Sequence, residues 1–182
     1  MQKNIILTQQ GISDIIDRIA EEISGKGRPI ESLVLIGIRT GGAYLAARLQ
    51  HALSTLSGET PGLGILDITL YRDDWTRIGP MPVVKKTEIP FSVNDKTVIL
   101  VDDVLFTGRT VRAAIDALID YGRPKKIELA VLVDRGVSFR ELPIMADYVG
   151  GHWDTSPKET INVYLNEQGF KDHAAIEGKK AA

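Results

Sequence analysis

Two aspartates, Asp102 and Asp103, stand side by side after the run VILV and ahead of VLFTGRT. An apolar run of that kind reads as a buried strand, and in an open α/β sheet ligands bind beyond the C-terminal ends of the strands, where loops lead into helices. Thr107, Gly108, Arg109 and Thr110 lead into a helix expected from Val111, so backbone N–H groups at a helix N-terminus, with two threonine hydroxyls, can cradle a phosphate. Gly108 allows the close approach or positive φ that such a nest requires. Two carboxylates beside an anion cradle would repel a bare phosphate but suit a ligand with vicinal hydroxyls a few atoms from its phosphate. A ribose 5-phosphate has that layout, with hydroxyls on Asp102 and Asp103 and the phosphate on residues 106–110. The competing readings are an Asp pair that caps a helix, or one that binds Mg2+ as in a phosphatase or a Walker B strand. The Walker reading needs GxxxxGK followed by Ser or Thr, which the sequence lacks. Capping alone leaves the long apolar lead-in to DDxxxTGxT unexplained.

The elements that must hold this motif are legible as changes of period. Ile12, Ile15, Ile16, Ile19 and Ile23 recur at helical spacing with acidic residues between them, which predicts an amphipathic helix over 12–24 closed by Gly25. LVLIGI (33–38) reads as a strand, RTGG as a Gly-rich loop and AYLAARLQHAL (43–53) as a helix. ILDITLY (65–71) reads as a second strand. The following stretch of about 15 residues, RDDWTRIGPMPVVKK (72–86), fits neither period, and such loops tend to be functional or mobile. TVILV (97–101), KIELAVLVD (126–134) and INVYL (161–165) complete the strands, and VRAAIDALIDYG (111–122) is a helix ending at Gly122. Strands apolar on both faces, alternating with helices, indicate an α/β fold: a parallel sheet of about five strands flanked by helices. Residues 135–160, rich in Gly, Pro and polar side chains, are expected to form a small subdomain over one end of the sheet.

The 182 residues, 43% hydrophobic, suffice for one core and suggest a single domain, 1–182. A formal charge of -2 without a block of like charge argues against gross nonspecific binding to nucleic acid or an anionic membrane. The absence of cysteine excludes disulfides, thiolate nucleophiles and cysteine-ligated zinc. With no signal-peptide core and no long apolar run, a soluble, cytoplasmic protein is expected. The tail from Glu177 is expected to fray.

VILVDDVLFTGRT resembles the phosphoribosyl pyrophosphate signature of type I phosphoribosyltransferases. GIRTGG, DITLYRDD, VDDVLFTGRTVRAAIDAL and AVLVDRG with RELPIMADYVG, in this order, resemble one branch of them, the pyrimidine operon attenuation regulators that are also uracil phosphoribosyltransferases. The match runs from the first helix to about Asn166. What the resemblance implies is the type I fold with a hood made mainly of 135–160 and the N-terminal segment, and transfer of ribose 5-phosphate from phosphoribosyl pyrophosphate to uracil, giving UMP and pyrophosphate with Mg2+. It implies that Asp102 and Asp103 take the ribose hydroxyls, one of them handling the base proton or a magnesium-bound water, and that Val104, Leu105, Phe106, Thr107, Gly108, Arg109 and Thr110 hold the nucleotide. Arg39, Thr40 and Gly41 correspond to the loop that meets pyrophosphate, often through a cis peptide. The 72–86 stretch corresponds to the flexible loop, with Arg72, Arg77 or Lys85 neutralising pyrophosphate, and Asp134 and Arg135 to the region where the hood recognises the base. A homo-oligomer, dimer or larger, is implied as well.

The family's second activity is UMP-dependent binding of a stem-loop in leader mRNA through a basic face. Here the first helix reads DIIDRIAEEIS, Val-Ser-Phe precedes Arg140, Met145 follows ELPI, and Gly150-Gly151 stands where a basic neighbour is expected. Arg140 and Lys158 are the cations left for RNA, while Asp14, Asp17, Glu21 and Glu22 would repel a phosphate backbone. An enzyme with a reduced RNA role is therefore the first reading. A UMP-sensing RNA-binding regulator and a purine phosphoribosyltransferase are the alternatives. His51, His152 and His173 show no metal spacing, and Trp75, Tyr148 and Trp153 read as loop or packing aromatics.

Overall fold

A computed structural model describes residues 3–73 and 86–178. Along the chain run β1 (Lys3–Leu7), α1 (Gln9–Ser24), β2 (Leu33–Ile38), α2 (Gly41–Ser57), β3 (Gly62–Leu66), β4 (Thr97–Leu105), α3 (Arg109–Ile119), β5 (Lys126–Asp134), β6 (Tyr148–His152), β7 (Glu159–Tyr164) and β8 (His173–Gly178). Five strands form one sheet in the order β3-β2-β4-β5-β6, every neighbouring pair parallel.

The strands at the centre are buried on both faces, and alternate side chains feed two cores. Leu33, Leu35, Ile99, Val101, Ala130 and Leu132 pack under α1 and α2, whereas Val34, Ile36, Val98, Leu100 and Val131 pack under α3. That two-sided burial is why these strands read as continuous apolar runs. Helix α1 starts where the Thr8 hydroxyl accepts the Gly11 N–H at 3.2 Å, and Ile12, Ile15, Ile16, Ile19 and Ile23 all turn inward.

Three expectations are corrected. The strand expected at 65–71 ends at Leu66, because the Asp67 carboxylate accepts the Thr69 N–H at 2.8 Å and turns the chain; the alternation of ILDITLY concealed that local competitor. The segment 161–165 does not join the parallel sheet. Its place at the edge is taken by β6, and β7 pairs with β8, itself paired with β1, in a separate antiparallel sheet of order β1-β8-β7. Glu177, expected to fray, lies in β8 and accepts hydrogen bonds from Asn162 and Tyr164. Arg48 of α2 ties this small sheet to the main body through Glu167 and Asp172. No helix of the described residues is long and apolar enough to cross a membrane.

Candidate active site

β4 is the central strand of the parallel sheet and runs longer than its apolar core, so Asp102 and Asp103 emerge at its C-terminal end between β2 and β5. The two carboxylates fold back onto the backbone that carries them. Asp102 accepts the Asp103 N–H at 3.0 Å, and Asp103 accepts the Val104 N–H at 2.8 Å. Asp102 is 6% exposed. Burial, and then the neighbouring Asp103 charge, push its carboxyl well above the usual range, while the Arg72 cation pulls it back. Burial raises Asp103 too, against the stabilising Val104 N–H. Both carboxyls therefore hold a proton more tightly than an ordinary aspartate.

Beyond Leu105 the chain turns through Phe106, Thr107 and Gly108, whose φ of 89° lies in the left-handed region. The Arg112 N–H donates to the Gly108 carbonyl and opens α3, which leaves the N–H groups of Thr110 and Val111 without helical acceptors, while that of Arg109 donates weakly to the Thr107 hydroxyl at 3.4 Å. These groups, with the Thr107 and Thr110 side chains, line a cavity of about 670 Å³ that Arg72, Asp73, Val104, Leu105, Phe106 and Glu141 also border. On the other side of Asp103 lies the turn after β2. The Arg39–Thr40 peptide is cis, and a Cβ on Gly41 would run into the Asp103 carboxylate. Residues 39–41 and 102–110, far apart in the chain, are thus one surface.

Comparison with known proteins shows which family the chain belongs to. The phosphoribosyl transferase domain model matches residues 2–161. The bifunctional protein PyrR of Desulfosudis oleivorans is 53% identical over 171 residues, covering 94% of both chains. That of Clostridioides difficile is 51% identical over 176 residues, covering 97% of this chain and 98% of the relative. The chain belongs to the phosphoribosyltransferase family, among the PyrR proteins. Solved hypoxanthine phosphoribosyltransferases share the fold: one from Staphylococcus aureus superposes with a TM-score of 0.64 at 23% identity, over 87% of this chain and 80% of that one. Another, from Trypanosoma cruzi, does so with a TM-score of 0.66 at 22% identity, over 84% and 79%.

Around this candidate site the remaining sequence candidates fall into distinct places. Arg72 borders the cavity, whereas Arg77, Lys85 and Trp75 lie outside the described residues. The Arg109 side chain donates to Glu141 and Asp73, which border the same cavity. Asp134 and Arg135, at the end of β5, are 6% and 2% exposed. The Arg135 guanidinium lies 3.8 Å over the Phe106 ring and donates to the Thr155 hydroxyl at 2.6 Å and the Glu159 carbonyl at 3.0 Å. It therefore joins the cradle to the start of β7.

Of the two cations expected for RNA, Lys158 is exposed, but the Arg140 side chain is 8% exposed. Arg140 donates to the Phe106 carbonyl and, at 2.7 Å, to Asp134, so it is not a surface cation. Arg18, the one basic residue of α1, donates to Glu22 and to the Val149 and Gly150 carbonyls, while Asp14, Asp17, Glu21 and Glu22 face solvent. Asp73, Glu141 and the bracing role of Arg140 escaped sequence reasoning. Their partners lie 32 to 36 residues away and no local pattern announces them.

Proposed function

We propose that the protein transfers ribose 5-phosphate from phosphoribosyl pyrophosphate to uracil, forming UMP and pyrophosphate. The observation that carries this reading is a buried Asp102, with Asp103 beside it, on the strand that leads directly into an open helix N-terminus bordering a cavity. In the reaction the C1–O bond to pyrophosphate breaks, uracil N1 bonds to C1, and the N1 proton is released. Asp102 and Asp103 accept hydrogen bonds from the ribose hydroxyls, and the N–H groups of Arg109, Thr110 and Val111 with Thr107 and Thr110 hold the 5-phosphate. The Arg39–Gly41 turn and Arg72 face the pyrophosphate, where they offset charge that grows as the bond breaks. No nucleophile is required of the protein. Asp134 and Arg135, the latter held by Thr155 and the Glu159 carbonyl, form the base side of the site.

The carboxylate pair fits Mg2+. It offers two adjacent carboxyl groups, and among the described residues no group of three or more His, Asp or Glu could cage a metal by itself, which suits an ion shared with substrate phosphates. When bound, the ion supplies charge neutralisation of the pyrophosphate.

A second reading, UMP-responsive binding of a leader mRNA stem-loop, is favoured by the word bifunctional in the relatives' names. The acidic outer face of α1 and the burial of Arg140 weigh against strong binding by this chain. Assembly as a homo-oligomer belongs to the same proposal. Product formation from phosphoribosyl pyrophosphate and Mg2+ with uracil, hypoxanthine and guanine tests it. UMP formation abolished in Asp102→Asn/Asp103→Asn is expected; faster nucleotide formation from a purine would overturn the uracil assignment.

A further inference from the structure

The cradle is not held by its own strand and helix alone. Residues 140–144 run alongside it and touch it at successive points. The Arg140 guanidinium donates to the Phe106 carbonyl, the Glu141 N–H donates to the Thr107 carbonyl at 3.0 Å, and the Glu141 carboxylate accepts from Arg109. Leu142 and Ile144 close over Gly108, where a Cβ would lie 3.4 to 3.5 Å from their side chains. The second terminal nitrogen of Arg140 donates to Asp134, whose same carboxylate oxygen accepts the Gly136 N–H at 2.8 Å. One buried guanidinium therefore spans the gap between the first residue of the cradle and the last residue of β5.

Such an arrangement is costly unless it does something specific. A guanidinium that is almost wholly buried gives up its hydration, and here Nε is buried without an acceptor among the described residues. Two apolar side chains would fill the same volume more cheaply. What they would lack is a pair of directed donors that fix a carbonyl, and with it the orientation of the peptide leading into Thr107 and Gly108. N–H groups bind a phosphate well only when they converge on one point, so a small rotation of that peptide weakens the nest.

We propose that Arg140 is a positioning residue for the phosphate cradle, setting the affinity for the 5-phosphate of phosphoribosyl pyrophosphate by locking Phe106 to Asp134. This rests on the phosphoribosyltransferase reading and assigns Arg140 to the ligand site instead of to RNA. The cation never meets the ligand. It acts through the Phe106 carbonyl, and the geometry calls for two donors on one planar group, which lysine cannot reproduce with a single ammonium.

The test is direct calorimetric binding of phosphoribosyl pyrophosphate with Mg2+ to the wild type, Arg140→Met and Arg140→Lys, well below each variant's Tm, alongside thermal melts. Arg140→Met is expected to weaken binding about tenfold or more and Arg140→Lys to recover part of the loss. Affinity equal to wild type in Arg140→Met, whatever its Tm, would overturn the proposal by reducing Arg140 to a stabilising contact. Should Arg140→Met not fold, wild-type affinity in Arg140→Lys overturns it equally. Because no base is present, a wild type that binds phosphoribosyl pyrophosphate but does not use uracil refutes the uracil assignment and leaves the Arg140 comparison decisive.

Discussion

The carboxylate of Asp103 lies so close to the Gly41 backbone that the turn after β2 and the end of β4 tolerate no side chain between them. A methyl group at position 41 has to displace either the carboxylate or the turn. Gly41→Ala is expected to lower kcat/KM for phosphoribosyl pyrophosphate roughly 100-fold. Gly41 begins α2, where alanine is the better helix former, which offsets part of the clash, so the circular dichroism melt should fall by no more than a few degrees. Steady-state kinetics within about twofold of wild type would mean that the two loops do not act as one surface.

Asp102 makes stability and binding respond to pH in opposite senses. Burial, and after it the charge of Asp103, raise its carboxyl in the folded protein, so the folded state keeps a proton that the unfolded chain releases. Stability therefore falls as pH rises from the ordinary aspartate range through the raised value. Asp102→Asn does not titrate; it should match wild type in the ordinary aspartate range and exceed it in Tm once the pH passes the raised value. Affinity for phosphoribosyl pyrophosphate should climb with pH over the same window in wild type and stay flat in Asp102→Asn. A wild-type Tm that rises from acid to neutral pH more than that of the variant would contradict this assignment.

At the other end of the sheet, Glu128 should govern acid unfolding. It is 1% exposed and accepts from both terminal nitrogens of Arg28 at 2.9 and 3.0 Å, from Lys126 at 2.7 Å and from the Tyr148 hydroxyl at 2.6 Å. Burial opposes its charge, yet Arg28, Lys126 and Tyr148 together bring its pKa from 4.5 to about 2. A lowered folded value means stability that is complete above the unfolded pKa and lost as pH falls from 4.5 towards about 2. That loss is on the order of 3 kcal/mol. Glu128→Gln should be destabilised by a similar amount already at neutral pH, and urea melts at descending pH should show the two proteins converging. Parallel pH profiles would assign the acid sensitivity elsewhere.

Much of this architecture is written locally. The five isoleucines of α1 turn inward because their spacing matches the helical repeat, and β2, β4 and β5 announce themselves because both faces are buried. The Asp pair, the left-handed Gly108 and the open helix N-terminus are neighbours in sequence, so their joint chemistry was readable from VILVDDVLFTGRT. β6 was hidden, since Gly150 and Gly151 carry no strand propensity and pair only because β5 offers an open edge. The small sheet was hidden too, because β1 and β8 lie at opposite ends of the chain and neither reads as a strand without its partner.

The sequence alone determined which residues could recognise a sugar phosphate, because that chemistry needs particular side chains on one strand-to-helix turn. Tertiary structure alone decided what surrounds them. Gly41 meets Asp103, Arg135 covers Phe106, and the Arg140 guanidinium ends between the Phe106 carbonyl and Asp134. The physical reason is that burial and the pairing of charges are properties of the packed chain. An arginine has the same letter whether its guanidinium ends in water or between a carbonyl and a carboxylate.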